Sequence, residues 1–78
     1  MSKKEEFLGV LNQKLSQNQG LKVYFYDEKI DKMPSGITFY HDEIELLIEV
    51  IKSHYDSDLI MGEKHLNNTK ITKWEDIN

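Results

Sequence analysis

Between residues 42 and 55 the apolar side chains Ile44, Leu47, Ile48, Ile51 and Tyr55 recur at the spacing of one helix face, and Leu46 and Val50 widen the stripe to about half the circumference. So wide an apolar arc has to be buried against more than one neighbour. A helix over 42–55 must therefore sit inside a layered domain. Asp42 is expected to cap this helix, with Glu43 and Glu45 near its positive end. Its remaining face carries Asp42, Glu45, Glu49, Lys52, Ser53 and Asp56.

The rest of the chain supplies what could cover that arc. Ser2 followed by Glu5 has the form of a capping box, and Phe7, Leu8, Val10, Leu11 and Leu15 then share one side of a helix over 3–18, with Gly20 as its stop. Gly9 falls on the polar side and reads as a tolerated surface glycine that lowers helix stability. Residues 21–26 alternate strictly, with Leu21, Val23 and Phe25 on one face and Lys22, Tyr24 and Tyr26 on the other. A charged connection ending in Met33-Pro34-Ser35-Gly36 leads to a second strand over 37–40, whose Thr38 and Tyr40 oppose Ile37 and Phe39. Neighbouring strands usually pair, so these two predict an antiparallel hairpin. Further on, Leu66-Asn67-Asn68-Thr69 reads as a hairpin turn between strands at 59–66 and 69–74, with a bulge at Gly62; a short helix over 57–66 capped by Ser57 competes.

The predicted architecture is a single α+β domain over 1–78. It is two-layered, a small mainly antiparallel sheet with two amphipathic helices on one face, in the order α-β-β-α-β-β. At 78 residues and with no cysteine, the chain has only its core, or a partner subunit, to hold it together. Unbroken aliphatic runs reach only three residues, as in Leu46-Leu47-Ile48, so no membrane span is expected. The N-terminus has no apolar segment of a secretory signal, and a cytoplasmic location is the expectation.

Chemistry is constrained chiefly by what is missing. The chain has no nucleophilic elbow, phosphate-binding glycine loop or His-Glu-x-x-His pattern, and its acids Glu45 and Glu49 sit one turn apart on an exposed face. No enzymatic activity and no cofactor are expected. His41, His54 and His65 match no compact ligand spacing, and His54-Tyr55-Asp56-Ser57-Asp58 lacks the glycine and distal glutamate of a calcium loop, so no metal site is expected.

Charge is the most distinctive feature. The net charge of −4 arises within residues 41–58, where six acids meet one lysine; residues 1–40 carry +1 and residues 59–78 balance. This points to a non-enzymatic protein-interaction role. An acidic helix face made of Asp42, Glu45, Glu49, Asp56 and Asp58 would dock on a partner protein with a basic surface, carboxylates at turn spacing standing in for phosphates. An aromatic face of Tyr24, Tyr26, Tyr40 and Trp74 would add contact area, although Trp74 also fits as a residue closing the edge of the core. In size, charge and composition the chain is similar to small acidic inhibitors from phages and mobile elements, including anti-CRISPR and other DNA-mimic proteins; no family motif is matched.

Two alternatives stand beside that reading. The chain could form a homodimer through the wide apolar arc or an exposed strand edge. It could also bind single-stranded nucleic acid on the tyrosine face. Direct nucleic-acid binding is not expected, because all ten basic residues are lysine and the chain is acidic overall.

Overall fold

A computed structural model describes residues 2–27, 35–61 and 69–77. The protein is a small α+β fold. The described residues form two α-helices and a four-stranded antiparallel sheet. In chain order the elements are α1 (Lys3–Ser16), β1 (Leu21–Asp27), β2 (Ser35–Phe39), a single 3-10 turn (His41–Glu43), α2 (Ile44–His54), β3 (Ile60–Met61) and β4 (Thr69–Asp76). The strands lie side by side in the order β2-β1-β4-β3, so the last strand runs beside the first in the middle of the sheet.

α1 begins where its sequence says it should. The Glu5 N–H donates to Ser2 Oγ at 3.1 Å, satisfying one of the free donors of the first turn. It ends differently from expectation. The residue in the left-handed conformation is Asn18, with φ 55°, and the Gln19 N–H closes on the Lys14 carbonyl at 2.9 Å. Asn tolerates that conformation almost as well as glycine. Gly20 serves another purpose. A Cβ there would lie 2.4 Å from the Phe39 carbonyl oxygen, so glycine lets the end of β2 pass close by. Gly9 faces open space, as a surface glycine should.

α2 is shorter than its amphipathic pattern. Residues His41–Glu43 wind as a 3-10 turn, and the Glu43 carboxylate accepts from the Tyr40 N–H at 3.0 Å. Asp42 lies within this turn and does not cap α2, because the chain enters the helix through a tighter turn that puts Glu43 at the boundary. At the far end, the Lys4 ammonium of α1 donates to the Tyr55 carbonyl at 2.7 Å and to the Lys52 carbonyl at 3.3 Å, neutralising the negative end of α2.

One buried cluster joins the elements: Phe7 and Leu11 from α1, Leu21 and Val23 from β1, Ile44, Leu47, Ile48 and Ile51 from α2, then Tyr55, Leu59 and Ile71. Trp74 packs on its edge, its ring 4.6 Å from that of Phe7. Lys14, also buried, pairs with Asp76 and so ties α1 to the end of β4.

Among the described residues, 57–61 do not form the helix that competed for 57–66. They form a turn followed by β3 at Ile60–Met61. Asp56 Oδ1 accepts from the N–H groups of Asp58 (2.9 Å) and Ile60 (3.0 Å), holding the turn. Leu59 is left-handed there, with φ 61°, a strain of about 1–2 kcal/mol for a branched residue. Its side chain is fully buried, which offsets that cost. The expected turn at Leu66-Asn67-Asn68 and the bulge at Gly62 lie outside the described residues.

β4 contains the irregularity that organises the sheet. Pairing with β1 runs Tyr26↔Lys70, Phe25↔Ile71, then Tyr24↔Lys73, Val23↔Trp74 and Lys22↔Glu75. Thr72 has no partner in this register; it is a bulge residue, its hydroxyl donating to the Tyr24 carbonyl at 3.3 Å. A regular strand would put residues 71 and 74 on opposite faces. The bulge puts Ile71 and Trp74 on the core side together, and it puts Lys70, Lys73 and Glu75 together on the other side.

Candidate functional site

Two surfaces carry the side chains that the sequence singles out. The first runs along α2. Buried positions Ile44, Leu47, Ile48 and Ile51 define its inner face, so Glu45 and Glu49, one turn apart, stand on the opposite crest; both are exposed. Asp42, also exposed, precedes them in the 3-10 turn. Among the described residues, none of these three carboxylates forms a salt bridge. Leu46 lies beside the crest and is 68% exposed, although it belongs to the apolar arc.

Next to Leu46 the surface falls into a groove of about 180 Å³ between α2 and the β1–β2 hairpin. Phe25 and Phe39 form its floor, Leu46, Leu47 and Val50 one wall, and Glu43 stands at its rim. Ile37, on the same face of β2 as Phe39 and 48% exposed, extends the apolar surface along the sheet edge. Among the described residues β2 is an edge strand, paired with β1. The wide apolar arc is thus only partly covered. Its Ile44–Ile51 side is buried, and its Leu46–Val50 side borders the groove.

The acidic set is not one patch. Asp56 spends a carboxylate oxygen on two backbone N–H groups, so its function is to hold the turn. Asp58 lines a separate hollow with Lys3, Ile60 and Lys70 at the β3–β4 side of the molecule. Of the five acids expected to act together, Glu45 and Glu49 share the α2 crest and Asp42 precedes them in the 3-10 turn; Asp56 and Asp58 do not belong to it. The reason is that α2 ends at His54, after which the helical spacing no longer applies.

The second surface is the outer face of the sheet. Tyr24 and Tyr26 lie there, half-buried, with Lys22, Lys70, Lys73 and Glu75 around them. The Lys73 and Lys22 ammonium groups stand 4.6 and 5.1 Å from the Tyr24 ring centre, and Lys70 stands 6.0 Å from that of Tyr26. The Tyr24 hydroxyl is the main influence holding the Glu75 carboxyl below the usual range; desolvation opposes it, and Lys73 and Lys22 add to the lowering. Gly36 is paired with Tyr24; a Cβ there would stand 3.0 Å from the Tyr24 ring and 2.6 Å from Lys22, so glycine lets both side chains lie across β2.

The expected aromatic face is therefore divided. Tyr24 and Tyr26 form it. Trp74 points to the core side against Phe7, because the bulge reverses its face. Tyr40 is 61% exposed but lies past the end of β2, at the entry to the 3-10 turn. Lys70 and Lys73 were missed by sequence reasoning. The available signal was Ile71 and Trp74, two apolar residues three apart in a strand, a spacing that implies a bulge and hence a shared face for the lysines.

Among the described residues no three or more of His, Asp and Glu come together as a metal-binding group, and no helix is long and apolar enough to cross a membrane. Tyr55, buried beneath the groove, has its phenol pKa raised by desolvation. Comparison with known proteins gives no match among family models, curated sequences or solved structures.

Proposed function

We propose that the chain is a non-enzymatic interaction protein that docks the α2 crest and its adjoining groove onto a basic surface of a partner protein. The observation that carries this reading is the placement of exposed Leu46 and an apolar groove directly beside the unpaired carboxylates of Asp42, Glu45 and Glu49, unpaired among the described residues. An apolar anchor with a charged rim is how specific interfaces are commonly built; the anchor supplies affinity on desolvation, and the charges supply steering and register. The complementary partner has an apolar side chain that enters the groove between Leu46 and Phe39, flanked by lysines or arginines. Where that basic surface ordinarily holds nucleic acid, occupation by this crest makes the protein an inhibitor. In the packing we propose, both helices cover one sheet face, which leaves the crest facing solvent.

The test is an affinity capture from the native host in which Glu45→Gln/Glu49→Gln and Leu46→Ser variants are run beside the parent chain. A protein retained by the parent, lost by both variants and kept by a Lys73→Gln variant supports docking through α2. Retention that is indifferent to both α2 variants removes it.

A homodimer is the second reading, favoured by the open edge of β2 beside Ile37 and Leu46. Sedimentation from micromolar to millimolar protein separates the two. A dimer dissociated by Ile37→Lys would mean that the groove faces a second copy of the chain.

A further inference from the structure

We infer that the outer face of the sheet is a binding platform for single-stranded nucleic acid, with Tyr24 and Tyr26 as stacking surfaces and Lys22, Lys70 and Lys73 as phosphate contacts. This site is independent of the α2 surface and uses none of its residues.

The inference starts from charge. The chain is acidic as a whole, but the β1–β4 register collects Lys22, Lys70 and Lys73 on one face, where Glu75 is the single opposing carboxylate within the register. At the rim, Lys3 and Asp58 share a hollow with Lys70 and cancel each other. Among the described residues the face is therefore net positive while the α2 crest is net negative. The shortest dimension of the molecule is 20 Å, about two screening lengths at 0.1 M salt, so a polyanion on the sheet feels little of the acids on the far side.

Shape and chemistry agree with that charge. Tyr26 and Tyr24 are alternate residues of one strand and so stand about 7 Å apart on the same face, comparable to the reach between neighbouring bases in an extended single strand. The lysines now over the rings mark places where a cation is held against an aromatic face, and their flexible stems can swing toward phosphate when a base takes the ring. Gly36 keeps the β2 side of Tyr24 low. Duplexes fit poorly, because a flat sheet cannot reach stacked bases, whereas splayed single-stranded bases present their faces. An acidic peptide would satisfy the lysines but leave both rings without a stacking partner.

The experiment is fluorescence anisotropy of a fluorescein-labelled fifteen-nucleotide oligothymidine with the full chain at low salt. Saturable binding is expected, with affinity falling as salt rises. Lys70→Gln and Lys73→Gln should each flatten the logarithmic salt slope by about 0.7. Tyr26→Ala should weaken binding about fivefold or more, the effect of losing one base stack. Glu75→Gln removes the opposing carboxylate and should tighten binding. Circular dichroism melts confirm that each variant is folded, and the two glutamine variants leave every strand pairing in place. No binding at low salt overturns the proposal. So does equal affinity for a blunt duplex, for polyphosphate or for polyglutamate, which would reduce the face to a non-specific anion contact. Binding abolished by Glu45→Gln/Glu49→Gln but unaffected by the sheet variants would overturn it as well, by placing the site elsewhere.

Discussion

The α2 crest and the outer sheet face reach their charge by opposite routes. On α2 the acids are close in sequence, and the helical repeat alone brings Glu45 and Glu49 to one side. On the sheet, Lys22 and Lys73 are 51 residues apart and meet only because β4 runs beside β1 in a bulged register. A surface of the first kind survives as long as its helix does. A surface of the second kind depends on a single irregular pairing, and a shift by one residue exchanges its lysines for the core.

The largest expected effect tests that dependence. An alanine inserted between Lys73 and Trp74 should turn Trp74 to the outer face and Glu75 toward the core. Loss of the half-buried Trp74 contact and burial of the Glu75 carboxylate act together, so urea melts should show a chain largely unfolded or without a cooperative transition. Deleting Thr72 should do far less, because removing the bulge residue leaves Ile71 and Trp74 inside and Lys70 and Lys73 outside. If both changes proved equally damaging, the register would not be what separates the two faces.

The next effect sharpens the division within α2. Ile51→Ala should cost about 2–5 kcal/mol, since Ile51 is fully buried. Leu46→Ala, on the same apolar arc but 68% exposed, should stay within about 0.5 kcal/mol. Similar losses at both positions would mean that the groove is filled in solution, as a dimer would fill it.

Asp56→Ala should destabilise by about 1–2 kcal/mol through the two N–H groups it leaves unpaired, whereas Glu49→Ala should change stability little. Asp56→Asn, which keeps an acceptor oxygen, should fall between. An Asp56→Ala variant as stable as the parent would return that carboxylate to the docking set.

The smallest effect concerns Glu75. Its folded-state pKa is lowered, first by the Tyr24 hydroxyl, so its contribution to stability is present above the unfolded carboxylate pKa and is lost as pH falls through the folded value. The group is fully exposed, so the stability change is minor and the direct measurement is a carboxyl NMR titration. Glu75 should titrate below an ordinary glutamate, and Tyr24→Phe should raise its midpoint. An unmoved midpoint would mean that the lysines, and not the hydroxyl, hold the charge.

Much of the fold was legible because local spacing carries it. The Ser2 cap, the Phe7–Leu11 face of α1, the alternation of Leu21 to Tyr26 and the buried stripe of α2 all read directly from the chain. What escaped was one local turn and the features in which a residue answers to a distant partner. Asp56 reads as one more acid of the helix until the turn claims its oxygen. Gly20 reads as a helix stop until the end of β2 is seen to pass over it. Trp74 reads first as a residue closing the edge of the core and second as an exposed anchor, and the bulge at Thr72 assigns its face. The α2 half of the candidate site was therefore visible in outline, as was Lys22 beside the tyrosines, and Lys70 and Lys73 were not.

The sequence by itself determined the elements and their apolar faces, because helix and strand geometry impose periods of 3.6 and 2 on whatever residues occupy them. It also determined that the acids gather in one segment. Tertiary structure alone decided that the last strand enters the sheet beside the first, that one residue is left over in that pairing, and that three lysines consequently surround two tyrosines. Strand partners are chosen by burial summed over the whole core, a quantity that no local spacing contains.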